Sequence, residues 1–419
     1  MSIDPHLLDD LEWRGLIAHA TDRDALREAL TTGSVRFYVG FDPTAPSLHM
    51  GHLVQILTAK RLQQAGHTPY ALVGGATGMI GDPRESGERT LNDLDTVKQW
   101  VDRVRHQIEP FLSFEGENAA TMVNNYDWTA SLSTIDFLRD IGKHFPVNRM
   151  LARDVVRSRL EAGISYTEFS YVLLQSMDFL NLYRDHGVRL QFGGSDQWGN
   201  LTAGVDLIRR SVGGQAHAIA TPLMTRSDGT KYGKTEGGAL WLDSDMMSPY
   251  AFHQFWLNVE DAKVGELLRV FTFLPRDEIE SLEAQTDEKP FLRAGQKALA
   301  DEVTTLVHGE KETAQAKAAA SALFGGGELR ALSPTTLSAA LTEAGAAAAP
   351  LGTPYVDLLV AAGLAKSKGE ARRTISEGGA YLNNERVTDP DLVPCADDLI
   401  DGWAVLRRGK KHLAGVRLG

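Results

Sequence analysis

Between residues 35 and 224, runs of β-branched and aromatic residues alternate with longer segments whose apolar positions recur every three or four residues. Residues 35–39, 69–73, 119–125 and 188–192 read as strands. The helical period follows from Leu48, with Ser47 as its expected cap, and again over 92–112, 133–161 and 166–180. This alternation predicts an α/β fold built on a doubly wound, Rossmann-like parallel sheet. Residues 7–32 read as helical, with Leu7, Leu8, Leu11, Leu16 and Ile17 on the apolar side. Residues 248–325 are helical in pattern, and an alanine-rich stretch runs from 314 to 349. Beyond it come a short helix at 355–364, a second capped by Ser367, and a tight hairpin at 381–387 centred on Asn383-Asn384, residues that tolerate positive φ. The pattern divides the chain into a catalytic domain (1–225), a loop and helical domain (226–330), a linker (331–352) and a small α+β domain (353–419).

Composition narrows the class. Hydrophobic residues make up 43% of the 419, enough for a sizeable core, and no run of about 18 apolar residues suggests a membrane span. The polar N-terminus does not read as a signal peptide. Cys395 is the single cysteine, which excludes an intramolecular disulfide and any cysteine-based metal site. These features fit a cytoplasmic protein. The net charge of −12 argues against sequence-independent coating of nucleic acid. Residues 352–419 are nonetheless at +1. Within them, Lys368, Arg372, Arg373, Arg408, Lys410 and Lys411 offer a local RNA-binding patch.

The chemistry concentrates in five places. After the first strand, the turn from Gly40 leads to His49-Met50-Gly51-His52. Two imidazoles three apart at the positive end of a helix make a site for phosphate. The plain alternative is a helix start with two surface histidines. The second strand runs into Gly74–Gly81 and Asp82, a turn residue or a carboxylate aimed into a cleft. Along 166–180, Tyr171, Gln175 and Asp178 form a polar stripe on an otherwise apolar helix, which needs partners if buried. Gly193, Gly194 and Asp196 repeat the strand-to-glycine arrangement, with Asp196 placed to accept from ribose hydroxyls. Finally, residues 224–238 hold Lys231 and Lys234 among glycines and hydroxyls, a cationic loop able to close over a polyphosphate. Asn125-Tyr126-Asp127-Trp128, after the third strand, reads as ordinary turn chemistry.

Together these motifs resemble the bacterial tyrosyl-tRNA synthetases. His49-Met50-Gly51-His52 is similar to the class I signature His-Ile-Gly-His. Lys231-Tyr232-Gly233-Lys234-Thr235 is similar to the Lys-Met-Ser-Lys-Ser loop, and the chain from about 352 resembles an S4-type RNA-binding module. The resemblance implies a ligase that activates L-tyrosine with ATP and Mg²⁺ and passes it to tRNA. It implies that Tyr38 and Asp178 bind the substrate phenol, that Asp82, Tyr171 and Gln175 hold the ammonium, and that Gln197 lies near the carboxylate. Gly40, Asp42, Gly194 and Asp196 would line the ATP site. Thr44, His49, Lys231 and Lys234 would stabilise the phosphates, with His52 on the nucleotide. It also implies a homodimer. Residues 84–89 lack the lysines that some relatives carry there, leaving Arg89 to take up that phosphate contact. The competing readings are a tryptophanyl-type enzyme and a nucleotidyltransferase sharing the His-x-Gly-His motif.

Overall fold

The computed structural model describes residues 3–84, 87, 91–230, 232 and 239–419. The chain folds as two units: Met1–Asp243 with Gly265–Glu280, and Ser244–Val264 with Ser281–Gly419.

The first unit is built on a six-stranded sheet: β1 (His19–Ala20), β2 (Arg36–Phe41), β3 (Thr68–Val73), β4 (Thr121–Asn124), β5 (Leu190–Gly194) and β6 (His217–Thr221). The order is β1-β6-β5-β2-β3-β4. β2 to β6 run parallel, and β1 is added antiparallel to β6. The order reverses between β2 and β5, so the crevice outside the carboxyl ends of these two strands is where such a sheet places ligands. Helix Met50–Gln64 follows β2 and is buried nearly all round. Helix Tyr166–His186 packs Leu173, Met177, Phe179 and Leu180 against Tyr38 and Tyr70 of the sheet, and ends at Gly187 in the left-handed conformation.

Two expectations change here. Residues 7–32 form two helices, Leu7–Trp13 and Arg23–Thr32, with β1 between them. Gly15, at φ 74°, turns the chain after the first helix, and Asp22 caps the second. A two-residue strand carries no period to read. Residues 133–161 are a series of short turns of helix, broken at Pro146.

In the second unit, helices Pro249–Leu257, Glu310–Leu323 and Pro334–Ala344 share a core with Ile400, Trp403, Val405 and Leu413. A five-stranded sheet has the order β7 (Ala346–Ala349), β11 (His412–Leu418), β10 (Trp403–Arg408), β8 (Ala380–Leu382), β9 (Glu385–Arg386). Helices Tyr355–Ala361 and Lys368–Ser376 pack on it through Leu358, Leu359 and Ile375. Asn383 and Asn384 take positive φ in the expected hairpin. Residues 331–352, read from sequence as a linker, instead hold helix Pro334–Ala344 and strand β7. Their alanine-rich composition hides a packed face of Leu337, Ala340 and Leu341. Among the described residues, no helix is long and apolar enough to cross a membrane.

Candidate active site

The turn after β2 sets the first part of the site. Ser47 does not cap the following helix. Its hydroxyl donates to the Leu48 carbonyl at 2.8 Å, and the helix begins at Met50 with His49 as its cap. His49 Nδ1 accepts from the Gly51 N–H, and His52 Nδ1 accepts from the His49 N–H, both at 3.1 Å. With both Nδ1 atoms accepting, the ring protons sit on Nε2. The rings lie 4.0 Å apart between centroids. Burial lowers the pKa of His49. Burial together with the neighbouring His49 holds His52 well below the ordinary value. Both rings are therefore neutral at pH 7, each with one N–H to donate.

Leu48 and Met50 are tied by backbone hydrogen bonds to Leu242 and Leu240, both at 2.9 Å, and Trp241 lies 6.2 Å from the His49 ring. Gln107 Oε1 accepts from the Leu48 N–H at 2.8 Å. Lys231, Lys234 and Arg89 lie outside the described residues. Thr44 is exposed and lines a polar cleft with Gly78, Gly81, Arg84 and Asn92.

The second part is a buried polar chain. Tyr38, 1% exposed, has no hydrogen-bond partner for its hydroxyl among the described residues. Burial pushes its pKa up, and the nearby Asp178 and Asp42 charges push it further. Asp178, also buried, accepts from Trp128 Nε1 at 2.8 Å and from Asn125 Nδ2 at 3.0 Å. Burial raises the Asp178 carboxyl to about 7, against those two hydrogen bonds, with the Asp42 charge adding to the rise. Asn125 also donates to Thr77 Oγ1 at 2.9 Å and accepts from the Ala76 N–H at 2.7 Å. Thr77 Oγ1 and Tyr171 Oη each donate to Asp42 at 2.6 Å. Six side chains, Trp128, Asp178, Asn125, Thr77, Asp42 and Tyr171, thus form one hydrogen-bonded chain. Gln175 Oε1 is buried without a partner among the described residues. Asp82 accepts from Gln197 at 2.7 Å and from Asn200 at 3.2 Å. Gly40 and Asp196 are exposed, and Gly194 ends β5.

Sequence reasoning missed Thr77, Asn125, Trp128, Asn200 and Gln107. Asn125-Tyr126-Asp127-Trp128 looked like turn chemistry because Asn and Asp are common in turns. Here Asn125 is fully buried, and its amide links the turn after β3 to helix Tyr166–His186.

In the second unit, Arg372, Lys410 and Lys411 are exposed, the two lysines between β10 and β11. Lys368, Arg373 and Arg408 pair with Asp357, Glu377 and Glu370 at 2.7, 2.8 and 2.9 Å. Arg407 is buried over the Tyr381 ring, at 4.0 Å.

The family of class I tRNA synthetases for tryptophan and tyrosine matches residues 30–325, and the C-terminal domain family of tyrosine–tRNA ligases matches residues 345–415. The tyrosine–tRNA ligase of Streptomyces coelicolor is 62% identical over 98% of this chain and 99% of its own length. That of Streptomyces griseus is 63% identical over 99% of each. A C-terminally truncated mitochondrial tyrosyl-tRNA synthetase from Coccidioides posadasii superposes with a TM-score of 0.66 at 33% identity, over 74% of this chain and 90% of that one. The tryptophanyl-tRNA synthetase of Plasmodium falciparum shares the fold at 14% identity, with a TM-score of 0.54, over 79% of this chain and 87% of its own. The chain belongs to the tyrosine–tRNA ligases of the class I tRNA synthetases.

Proposed function

We propose that this chain activates L-tyrosine with ATP and transfers it to tRNA, and that the residues above divide the work as follows. The observation that carries the amino-acid assignment is the buried, unpartnered Tyr38 hydroxyl beside the buried Asp178 carboxylate. Tyr38 donates to the substrate's phenolic oxygen, and Asp178 accepts its O–H. A substrate without that hydroxyl leaves the Tyr38 hydroxyl unpaired and Asp178 short of one donor, the mode of rejection for which this enzyme class is the standard example. Tyr171, Gln175 and Asp82 hold the ammonium, and Gln197 lies by the carboxylate. Gly40, Asp42, Gly194 and Asp196 line the ATP site.

In the first step the tyrosine carboxylate attacks the α-phosphorus. The bond to the bridging oxygen breaks, and pyrophosphate leaves with the electron pair. A carboxylate is ionised at neutral pH, so no general base is needed. The site's task is to position the reactants and stabilise charge on the phosphates. The Nε2–H groups of His49 and His52 and the Thr44 hydroxyl are donors suited to phosphate oxygens, joined by Lys231 and Lys234. This donor set fits a nucleotide that brings Mg²⁺ on its own phosphate oxygens and waters. In the second step the terminal ribose hydroxyl of tRNA attacks the tyrosyl carbonyl, and AMP leaves. Arg372, Lys410 and Lys411, with Lys368, Arg373 and Arg408 at their edges, take the tRNA backbone.

The enzyme works in the cytoplasm as a homodimer. Ile135, Val147 and Tyr166, respectively 68%, 60% and 67% exposed, support a second copy covering this apolar stretch of the first unit. ATP–pyrophosphate exchange without tRNA, run with tyrosine, tryptophan and phenylalanine, tests the reading. Exchange with tyrosine alone is expected, and exchange with tryptophan would overturn the roles of Tyr38 and Asp178.

A further inference from the structure

Two of the groups given to the amino acid, Asp82 and Gln197, are held by Asn200, to which the reading above gives no substrate contact. Asn200, at the start of helix Trp198–Val212, is 2% exposed. Its amide nitrogen donates to Asp82 Oδ1 at 3.2 Å and to Gln197 Oε1 at 2.8 Å. Gln197 in turn donates to Asp82 Oδ2 at 2.7 Å. An amide carries two hydrogens on nitrogen, so Asn200 uses both, and its oxygen is left to face a donor. That donor is a terminal nitrogen of the Arg153 guanidinium. Arg153 reaches it across Gly199, where an added Cβ would stand 3.1 Å from the same nitrogen.

The arrangement fixes each amide's orientation. Were the Asn200 amide reversed, its NH₂ would face the guanidinium and its oxygen would face the Asp82 carboxylate, two repulsive contacts. Arg153 therefore selects the orientation in which Asn200 donates to Asp82. Gln197 is then compelled to turn its oxygen to Asn200 and its NH₂ to Asp82. The Asp82 charge favours the same set by keeping Arg153 cationic against its burial.

We propose that Asn200, oriented by Arg153, is a positioning residue that sets Asp82 for the ammonium of the amino acid and keeps Gln197 turned to Asp82 beside it. The proposal rests on the role given above to Asp82. Asn200 removes conformational freedom from the two groups before substrate arrives, so its effect belongs to ammonium recognition and not to the phenol or the phosphates.

The test measures tyrosine-dependent pyrophosphate exchange and its competitive inhibition by tyramine and by 4-ethylphenol. These two inhibitors share the phenol and differ by the ammonium group. Asn200→Ala is expected to weaken tyramine about tenfold, as for loss of one hydrogen bond to a charged group. It should raise the KM for tyrosine alike, with 4-ethylphenol and the KM for ATP unchanged. Arg153→Met, whose side chain is only partly buried, acts through Asn200. It should weaken tyramine about threefold, and the double variant should be no worse than Asn200→Ala alone. Equal losses for tyramine and 4-ethylphenol, or fully additive effects of the two substitutions, would overturn the proposal. Asp82→Asn separates the two levels. If it weakens tyramine while Asn200→Ala and Arg153→Met do not, the role of Asp82 stands and the positioning role fails. If Asp82→Asn leaves tyramine unchanged, the underlying reading fails.

Discussion

Replacing Asn125 with alanine should change the pH at which the enzyme recognises tyrosine. Asn125 gives one amide hydrogen to Asp178 Oδ2 and the other to Thr77 Oγ1. The first bond favours the ionised carboxylate, against a burial that holds Asp178 at about 7. A hydrogen bond to a charged group is worth about 1.5–3 kcal/mol, and about 1.4 kcal/mol corresponds to one pH unit. Its loss therefore moves the Asp178 titration upward by about one to two pH units. The sign of the effect follows from the phenol. Asp178 accepts its O–H only when ionised, so kcat/KM for tyrosine falls as pH drops through the carboxyl's pKa. The wild-type acid limb should lie near pH 7, and the Asn125→Ala limb near pH 8 to 9. The assay is pyrophosphate exchange between pH 6 and 9.5 at saturating ATP. His49 and His52 titrate below the ordinary histidine value. The proposed function places them on the nucleotide, so kcat/KM for ATP at saturating tyrosine serves as the control and should keep its wild-type profile. Superimposable tyrosine profiles, or a limb displaced to lower pH, would refute the reasoning.

Other substitutions test other parts. Gly51→Ala places a Cβ 3.0 Å from His49 Cε1 and 3.2 Å from Nδ1. It should lower kcat for exchange at least tenfold through displacement of the His49 ring, while thermal melting stays near the wild-type temperature. Replacing Arg372, Lys410 and Lys411 with alanine should weaken tRNA binding and flatten its salt dependence by about one logarithmic slope unit for each phosphate no longer neutralised. Exchange without tRNA should be untouched, and an unchanged slope in filter binding would remove these residues from the interface. His67 is fully buried, accepts from the Val35 N–H, and is held at about 4 by burial. The unfolded chain takes up this proton near pH 6.5 and the folded one near 4. The stability from its neutral form is complete above pH 6.5 and is lost as pH falls toward 4, about 3 kcal/mol in all. Urea denaturation at pH 7 and 4.5 should show His67→Gln losing less stability than wild type over that interval. Equal losses would exclude His67 from the acid sensitivity.

Periodicity made the doubly wound sheet legible, and the strand-to-glycine transitions at Gly40, Gly74 and Gly193 marked the crevice before any coordinates. The residues assigned to the substrate stood out because they are polar where their neighbours are apolar, as Tyr171, Gln175 and Asp178 are along their helix. The residues that hold them did not stand out. Thr77, Asn125 and Asn200 belong to short turns or helix starts where such side chains are expected for local reasons. Their actual partners, Asp42, Asp178 and Asp82, are 35, 53 and 118 residues away in the chain. No local pattern encodes a contact of that separation. The mistaken linker has the same origin, since Leu337 and Leu341 find their core among Trp403, Val405 and Leu413.

The histidine motif also changes meaning once its geometry is known. From sequence, the spacing of three looked like a way to put two imidazoles on one helical face. In the structure it is the spacing of a helix cap, in which the His49 ring accepts from the Gly51 N–H and the His52 ring reaches back to the His49 N–H. Each ring spends its Nδ1 on the helix start and keeps its Nε2–H. That division of labour fixes the tautomer, the ring orientation and, through burial, the neutral charge state. A pair of imidazolium rings 4.0 Å apart would repel each other and release a proton. Neutral rings can stand that close and present two oriented dipoles to a phosphate without any titration at physiological pH. It follows that a side chain able to cap but too short to place a donor where the His49 Nε2–H stands, as in His49→Asn, should preserve the helix start and still slow tyrosyl-adenylate formation. Single-turnover measurement of that step against thermal melting separates the two functions of the ring. A parallel fall in melting temperature and rate would mean that the cap alone accounts for the motif.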